Sequence, residues 1–266
     1  MTNDPDAVLL ERSDGVATIT LNRPRVKNAM TWDGWTGLRD AVRAIDPLTD
    51  RVVVVTGAGE DFCAGADLTG PATGGHQVDD MRIVGDACLA LHRLPIPTIA
   101  RVDGVAVGAG MNLALVCDFV VAAARARFSE IFVKRAMSVD FGGSWLLPRL
   151  VGLRRAKELV LLGDIIDAAK ADELGLLHRV VEPADLDKVV AELADRLAAG
   201  PRLAMAGSKA LLNDAFDVTL ERALDEEARA QAVSVSSPDA AEAIEAFLHK
   251  RTPDFRRSGT TNEEER

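Results

Sequence analysis

Arg101-Val-Asp-Gly-Val-Ala-Val-Gly-Ala-Gly-Met-Asn-Leu-Ala-Leu-Val-Cys-Asp118 reads as an apolar strand that turns through Gly-Ala-Gly and enters a helix. Such a junction leaves backbone N–H groups without helical partners, and the helix dipole adds partial positive charge, so a negative oxygen near Ala109 or Gly110 is stabilised. Glycines at 108 and 110 let a ligand approach the main chain with no Cβ in the way. A phosphate or a developing oxyanion suits this turn, and so does plain strand-to-helix packing. The stretch lacks both the glycine pattern of a dinucleotide site and the Lys-Ser/Thr of a P-loop.

A second stretch repeats the pattern. The apolar run Val52 to Val55 enters Thr56-Gly-Ala-Gly-Glu-Asp-Phe-Cys-Ala-Gly-Ala-Asp-Leu68, again a buried strand running into a glycine-rich loop. Two such loops in one domain can aim two N–H groups at one oxygen.

Phe62-Cys-Ala-Gly-Ala-Asp-Leu68, with Asp103-Gly-Val-Ala-Val-Gly-Ala-Gly110 and Cys117-Asp118, resembles the crotonase superfamily, the enoyl-CoA hydratases and isomerases. Further matches follow in family order: Leu21-Asn-Arg-Pro24, Asn28-Ala29, Gly142-Gly-Ser144, Leu147-Pro-Arg-Leu150, Leu162-Gly163, Glu173-Leu-Gly-Leu176 and Phe247-Leu-His-Lys-Arg251. The resemblance implies an α/β fold, a spiral of ββα units over residues 1–200, with a C-terminal helical region at 201–266 that builds trimers, often paired into hexamers. It implies an acyl-CoA thioester as substrate, coenzyme A being part of that substrate and no separate cofactor being needed. The N–H groups of Ala66 and Ala109 would form an oxyanion hole for the thioester carbonyl. Contacts to substrate and CoA would come from Arg25, Val26, Asn28, Ala64, Ala66, Asp67, Leu68, Val107, Ala109 and Gly110. The last helix would reach a neighbour's CoA through Phe247 and Lys250.

Composition sets the outer limits. With 266 residues, nearly half of them hydrophobic, the chain can bury a large core, and a net charge of −10 argues against a general nucleic-acid surface. Cys63, Cys88 and Cys117 are odd in number and widely spaced, which fits neither a disulfide framework nor a metal signature. His76, His92, His178 and His249 are scattered and suggest no metal site. The acidic start lacks the order of a secretory or transit signal, and no apolar run reaches membrane-spanning length. A cytoplasmic protein is the expectation.

Along the chain, Ser13-Asp-Gly15 predicts a hairpin between Val8–Arg12 and Val16–Leu21. Thr31 is placed to cap a helix to about Ile45, with Trp32, Trp35, Leu38, Val42 and Ile45 on one face. Gly70 to Gly75 reads as a connection leading to a helix from about Val78 to Arg93, and Pro95-Ile-Pro97 ends that helix before a strand at Thr98–Val102. Phe119–Ala123 is a further strand. Beyond Arg154 the chain reads as mostly helical, with amphipathic stretches at Leu186–Leu197, Leu203–Leu212 and Ala240–Phe247, and a tail after Phe255.

The carboxylates decide which reaction the resemblance implies. The hydratases of the family use two glutamates. The first falls two residues after the last loop glycine, where this chain has Asn112, and the second four residues beyond the phenylalanine matched by Phe128, where it has Phe132. Asp140, just before Phe141-Gly-Gly-Ser144, stands where certain isomerases of the family carry a catalytic aspartate. Read without the family, Asp140 also suits an N-cap for a helix starting near Gly143. The helix start would depress its pKa, whereas Val139, Phe141 and Trp145 would raise it by desolvation. Glu130 reads mainly as a loop-holding carboxylate with a secondary catalytic role open to it. Asn112 either donates to substrate or caps the local backbone. Asp67 and Asp118 are expected to stabilise loops beside the two glycine turns. The expected activity is double-bond migration in an enoyl-CoA with Asp140 as base. Hydration of a 2-enoyl-CoA is the alternative, and an acyl-CoA-binding protein without catalysis is a third.

Overall fold

The hairpin forms as its turn residues dictate. In the computed structural model, which describes residues 6–69 and 75–256, β1 (Val8–Ser13) and β2 (Val16–Leu21) pair antiparallel from Val8↔Leu21 to Ser13↔Val16. Asp14 and Gly15 between them have φ of 51° and 80°, the left-handed pair that a two-residue hairpin turn requires. β3 (Val52–Gly57), β4 (Thr98–Val102), β6 (Phe119–Ala123) and β9 (Arg179–Val181) then join β2 in parallel, giving a six-stranded sheet in the order β1-β2-β3-β4-β6-β9. Because side chains alternate along a strand, both faces of this sheet are apolar. Val53, Val55, Ala100, Val102 and Ala122 face the main core, while Val52, Val54, Ile99 and Val121 pack against Leu186, Val190, Ala194 and Ala198 of helix α6 (Leu186–Ala198).

A second layer consists of β5 (Val105–Val107), β7 (Arg127–Ser129) and β8 (Ile166–Asp167), in that order, extended by bridges Cys63↔Ala106 and Met30↔Ala66. Each turn of the spiral runs from a long strand to a second-layer segment and on to a helix. β2 leads past Met30 to α1 (Trp32–Arg43), β3 past Cys63 to α2 (Gln77–His92), β4 through β5 to α3 (Ala109–Leu115), and β6 through β7 to α4 (Gly143–Leu162). Stacking these turns makes neighbours of loops that are far apart in the chain.

Local signals hold at the helix starts. Thr31 Oγ1 accepts from Gly34 N at 3.1 Å and caps α1, whose Trp35, Leu38 and Val42 are buried; the helix ends at Arg43, and Ile45 is buried beyond it. α5 (Ala168–Glu173) is capped by Asp167. Past α6, the helices α7 (Arg202–Asp214) and α8 (Leu220–Val235) contribute no buried residue, and α9 (Pro238–Leu248) buries only Ala246. α7 is held to the core by Lys209, whose Nζ donates to Asp118 at 2.7 Å and to the Ile96 carbonyl at 3.0 Å, and by Asn213 donating to the His92 carbonyl. Most of the Gly70–Gly75 connection and the tail beyond Arg256 lie outside the described residues. Among the described residues, no helix is long and apolar enough to cross a membrane.

Candidate active site

The two glycine loops are keyed into each other. A methyl group on Gly110 would overlap the carbonyl oxygen of Cys63, and one on Gly65, whose φ is 87°, would press on the carbonyl oxygen of Val107. Gly110 is therefore required by the neighbouring loop, and the same lack of a side chain suits close approach of a ligand to its main chain. Ladder bonds continue the contact: Cys63 N donates to Val105 O at 2.8 Å and Val107 N to Cys63 O at 3.0 Å.

The backbone donors of the first loop are nearly all used. Ala64 N donates to Lys27 O, Gly65 N to Cys63 Sγ and Asp67 N to Met30 O, whereas Ala66 N–H finds no acceptor among the described residues. Ala109 N–H, at the start of α3 and buried, also finds none. Both are free donors on adjoining loops.

The residues expected to meet CoA border the same loops. Arg25 and Val26 lie exposed on the 3-10 turn Pro24–Val26, and Arg25 makes no side-chain bond among the described residues. Lys27 and Asn28 follow with φ of 55° each, and Lys27 pairs with Asp61 at 3.3 Å. Asn28 is fully buried: its side chain accepts from Arg23 N and donates to Ala58 O and Asp61 O, so it staples the two loops and has only main chain to offer a ligand. Asp67 accepts from Thr69 N and Oγ1 and from Arg23, and these bonds, led by that from Thr69, hold its carboxyl below the usual range. Leu68 is exposed. Phe247 (81 % exposed), near the end of α9, and Lys250 just beyond it make no hydrogen bond, ion pair or ring contact with these loops among the described residues.

Asp140 does not cap α4. The position is taken by Gly142 in a left-handed conformation with no side-chain bond, and only the main-chain carbonyl of Asp140 accepts from Gly143 N, at 3.0 Å. Its carboxyl is largely buried, and Oδ1 has no hydrogen-bond partner. Burial pushes this carboxyl from 3.8 up to about 6; of the two opposed effects read in the sequence, desolvation wins. Phe141 beside it has φ of 46°, an uncommon conformation for a bulky residue. Packing on Trp35, with ring centroids 5.2 Å apart, and a bond from Cys88 Sγ to the Phe141 carbonyl hold it there.

Asn112 and Glu130 complete the cluster. The Asn112 amide donates to the Asp140 carbonyl at 3.0 Å and to Glu130 Oε2 at 3.3 Å, so it braces backbone and has no hydrogen left for a substrate. Glu130 is 0 % exposed and receives that single bond, with Oε1 unpartnered. Burial raises its carboxyl to about 8, the Asn112 bond opposing and the charge of Asp140 adding. Phe132 is buried with its ring against Gly108. Cys88, from α2, was not marked by sequence beyond being a buried thiol, because its contact with Phe141 spans 53 residues.

A cavity of about 630 Å³ opens between α2, the start of α4 and α7, lined by His92, Trp145 and Lys209 among others. It meets the Asp140 loop only at Cys88 and Gly142; neither carboxyl and neither free N–H lines it.

A partly buried carboxyl with one unpartnered oxygen, and two free N–H groups on adjoining loops, are the groups that acid–base chemistry next to a carbonyl oxygen requires. The family model for enoyl-CoA hydratase/isomerase matches residues 11–258. The chain is 38 % identical over 257 residues to the 1,2-epoxyphenylacetyl-CoA isomerase of Escherichia coli, covering 93 % of this chain and 97 % of that one. It is 34 % identical over 253 residues to the crotonyl-CoA hydratase of Syntrophomonas wolfei, with the same coverage. Among solved structures, the enoyl-CoA hydratase of Bacillus anthracis superposes with a TM-score of 0.89 at 32 % identity, over 96 % of this chain and all of that one. A Thermobifida fusca structure in complex with CoA superposes with a TM-score of 0.81 at 34 % identity, over 93 % of this chain and 96 % of that one. With its fold, its loops and these relatives in agreement, the chain belongs to the enoyl-CoA hydratase/isomerase family of the crotonase superfamily.

Proposed function

We propose that this protein moves a carbon–carbon double bond in an enoyl-CoA, with Asp140 as its base. The thioester oxygen accepts from Ala66 N–H and Ala109 N–H. Asp140 takes a proton from C2, the electron pair passes through the carbonyl to that oxygen, and the carboxylic acid so formed, open to exchange with water, protonates the dienolate at C4 while the double bond settles at C2–C3. One carboxyl is sufficient for this sequence, because the acid formed by the first transfer is the donor in the second. The observation that carries the reading is Asp140 Oδ1, buried without a partner, in a chain with Asn112 and Phe132 at the two hydratase positions. The name of the Escherichia coli relative, an isomerase of a CoA thioester, supports it.

Hydration of a 2-enoyl-CoA is the second reading. It is favoured by the presence of two carboxyls in one cluster, Glu130 buried and Asp140 partly buried, and by relatives named as hydratases. CoA would lie along the exposed Arg25–Val26 and Ala64–Leu68 loops. The exposed apolar side chains of α7 to α9, among them Phe216, Leu220 and Phe247, support a trimer in which the last helix of one subunit covers another's CoA.

Supplying a 3-enoyl-CoA and a 2-enoyl-CoA separately, to wild type and Asp140→Asn, distinguishes the readings. Conjugation absorbance from the first substrate without added mass, lost in the variant, is the expected result. An 18-dalton mass gain on the second substrate that survives the substitution would replace isomerisation by hydration. Tight CoA binding with no change in either substrate would leave a binding protein.

A further inference from the structure

Asn112, Glu130 and Asp140 leave three acceptor oxygens with no donor, and the hydrogens available to them can be counted. The Asn112 carboxamide has two. One goes to Glu130 Oε2 and the other to the Asp140 carbonyl, which can only accept and so fixes the orientation of the amide. Asn112 Oδ1, Glu130 Oε1 and Asp140 Oδ1 remain, each buried and unpartnered.

Among the described residues no cation pairs with the cluster. The charged group whose field reaches Glu130 is Asp140, of the same sign. Lys134, on the 3-10 turn that follows Glu130, is paired at 2.9 Å with Asp164 beyond α4, and Lys170 of α5 is paired with Glu173, all four being solvent-accessible. An ionised Glu130 would thus be a buried charge with one long hydrogen bond, an arrangement that is strongly disfavoured. A proton on Oε1 removes the charge and supplies a donor on a carboxyl that already lies against the Asn112 amide.

We propose that Glu130 works as a neutral acid and is a positioning residue: through Asn112 it holds the main chain of Asp140 in register with the two glycine loops. The proposal rests on the reading of Asp140 as the base. Glu130 transfers no proton to substrate; its hydrogen stays within the cluster while Asp140 alone exchanges with carbon. Burial, which lifts the Glu130 carboxyl to about 8, agrees with this role.

The first test needs no substrate. A carboxyl whose folded pKa lies above its unfolded one contributes stability that is full below the unfolded value and is lost as pH rises through the folded value. Wild type therefore loses this contribution between about pH 4.5 and pH 8, and E130Q, which keeps the shape and a donor but does not titrate, has no such loss. Melting temperatures from pH 5 to 9 should show an advantage of E130Q that grows to about pH 8 and then levels off. A difference independent of pH overturns the proposal whatever the reaction is, and this arm stands even if Asp140→Asn leaves activity intact.

The second test uses bond migration at pH 7. E130Q should stay within about threefold of wild type, while Glu130→Ala should lower kcat about tenfold or more with KM little changed. Wild-type kcat should fall above about pH 8 and E130Q should remain flat. An equal loss of kcat in E130Q and Glu130→Ala would make Glu130 a proton-transfer group and overturn the positioning role.

Discussion

At Asp140 the carboxyl has lost most of its water and gained no donor in exchange, which disfavours the ionised form and moves its titration from 3.8 to about 6. A base with that value is ionised at neutral pH yet strong enough to compete for a carbon-bound proton activated by an enolate-stabilising site. Bond migration should therefore increase as pH rises through about 6 and hold until the fall above about pH 8 that Glu130 imposes, which a pH profile of kcat/KM measures directly. Asp140→Asn should abolish that rise and reduce kcat by about 10²–10⁴-fold. The same substitution should stabilise the fold. The folded value lies above the unfolded one, so wild type has the full contribution below pH 3.8 and loses it by about pH 6. At pH 7 the variant should gain about 3 kcal/mol, read as a higher melting temperature, and the gain should fade as pH falls below the unfolded value of 3.8. Function and stability are opposed at this residue.

The elements bring these groups together by close backbone approach. α3 can start beside the Cys63 loop only because residue 110 has no side chain, and Gly65 answers the same need from the other loop. Gly110→Ala should cost about 1–3 kcal/mol through overpacking, seen in thermal unfolding. Activity should fall further than stability, because the displacement moves Ala109 N–H away from Ala66 N–H. Much of this architecture was legible in the chain: apolar runs such as Val52–Val55 named the strands, Asp14-Gly15 the hairpin and Thr31 the first cap. Other parts left no local signal. Gly110 was legible as a turn glycine, but the carbonyl it accommodates lies 47 positions earlier, at Cys63. Asp140 looked like a cap because Asp suits that position, whereas the fold assigns the position to Gly142, with a φ of 79°. The brace from Asn112 to Asp140 and Glu130 crosses 28 and 18 residues and depends on how the turns of the spiral stack.

Across the whole molecule, the mainly parallel sheet and its two apolar faces form a finished core, whereas the region from α7 to α9 leaves Phe216, Leu220 and Phe247 between 72 % and 81 % exposed. A surface of that kind calls for a covering partner. Sedimentation should give three or six times the chain mass of 28.4 kDa, and Phe247→Asp should weaken the assembly and CoA affinity together; a stable wild-type monomer would contradict the trimer. The central assignment, that Asp140 itself carries the proton between C2 and C4, is tested most directly by isotope exchange. An enoyl-CoA incubated in deuterated water with wild type should take up deuterium at the carbons flanking the moving double bond, and with Asp140→Asn it should take up at least about a hundredfold less over the same time. Undiminished uptake in the variant would contradict the assignment and transfer the base to another group in the cluster.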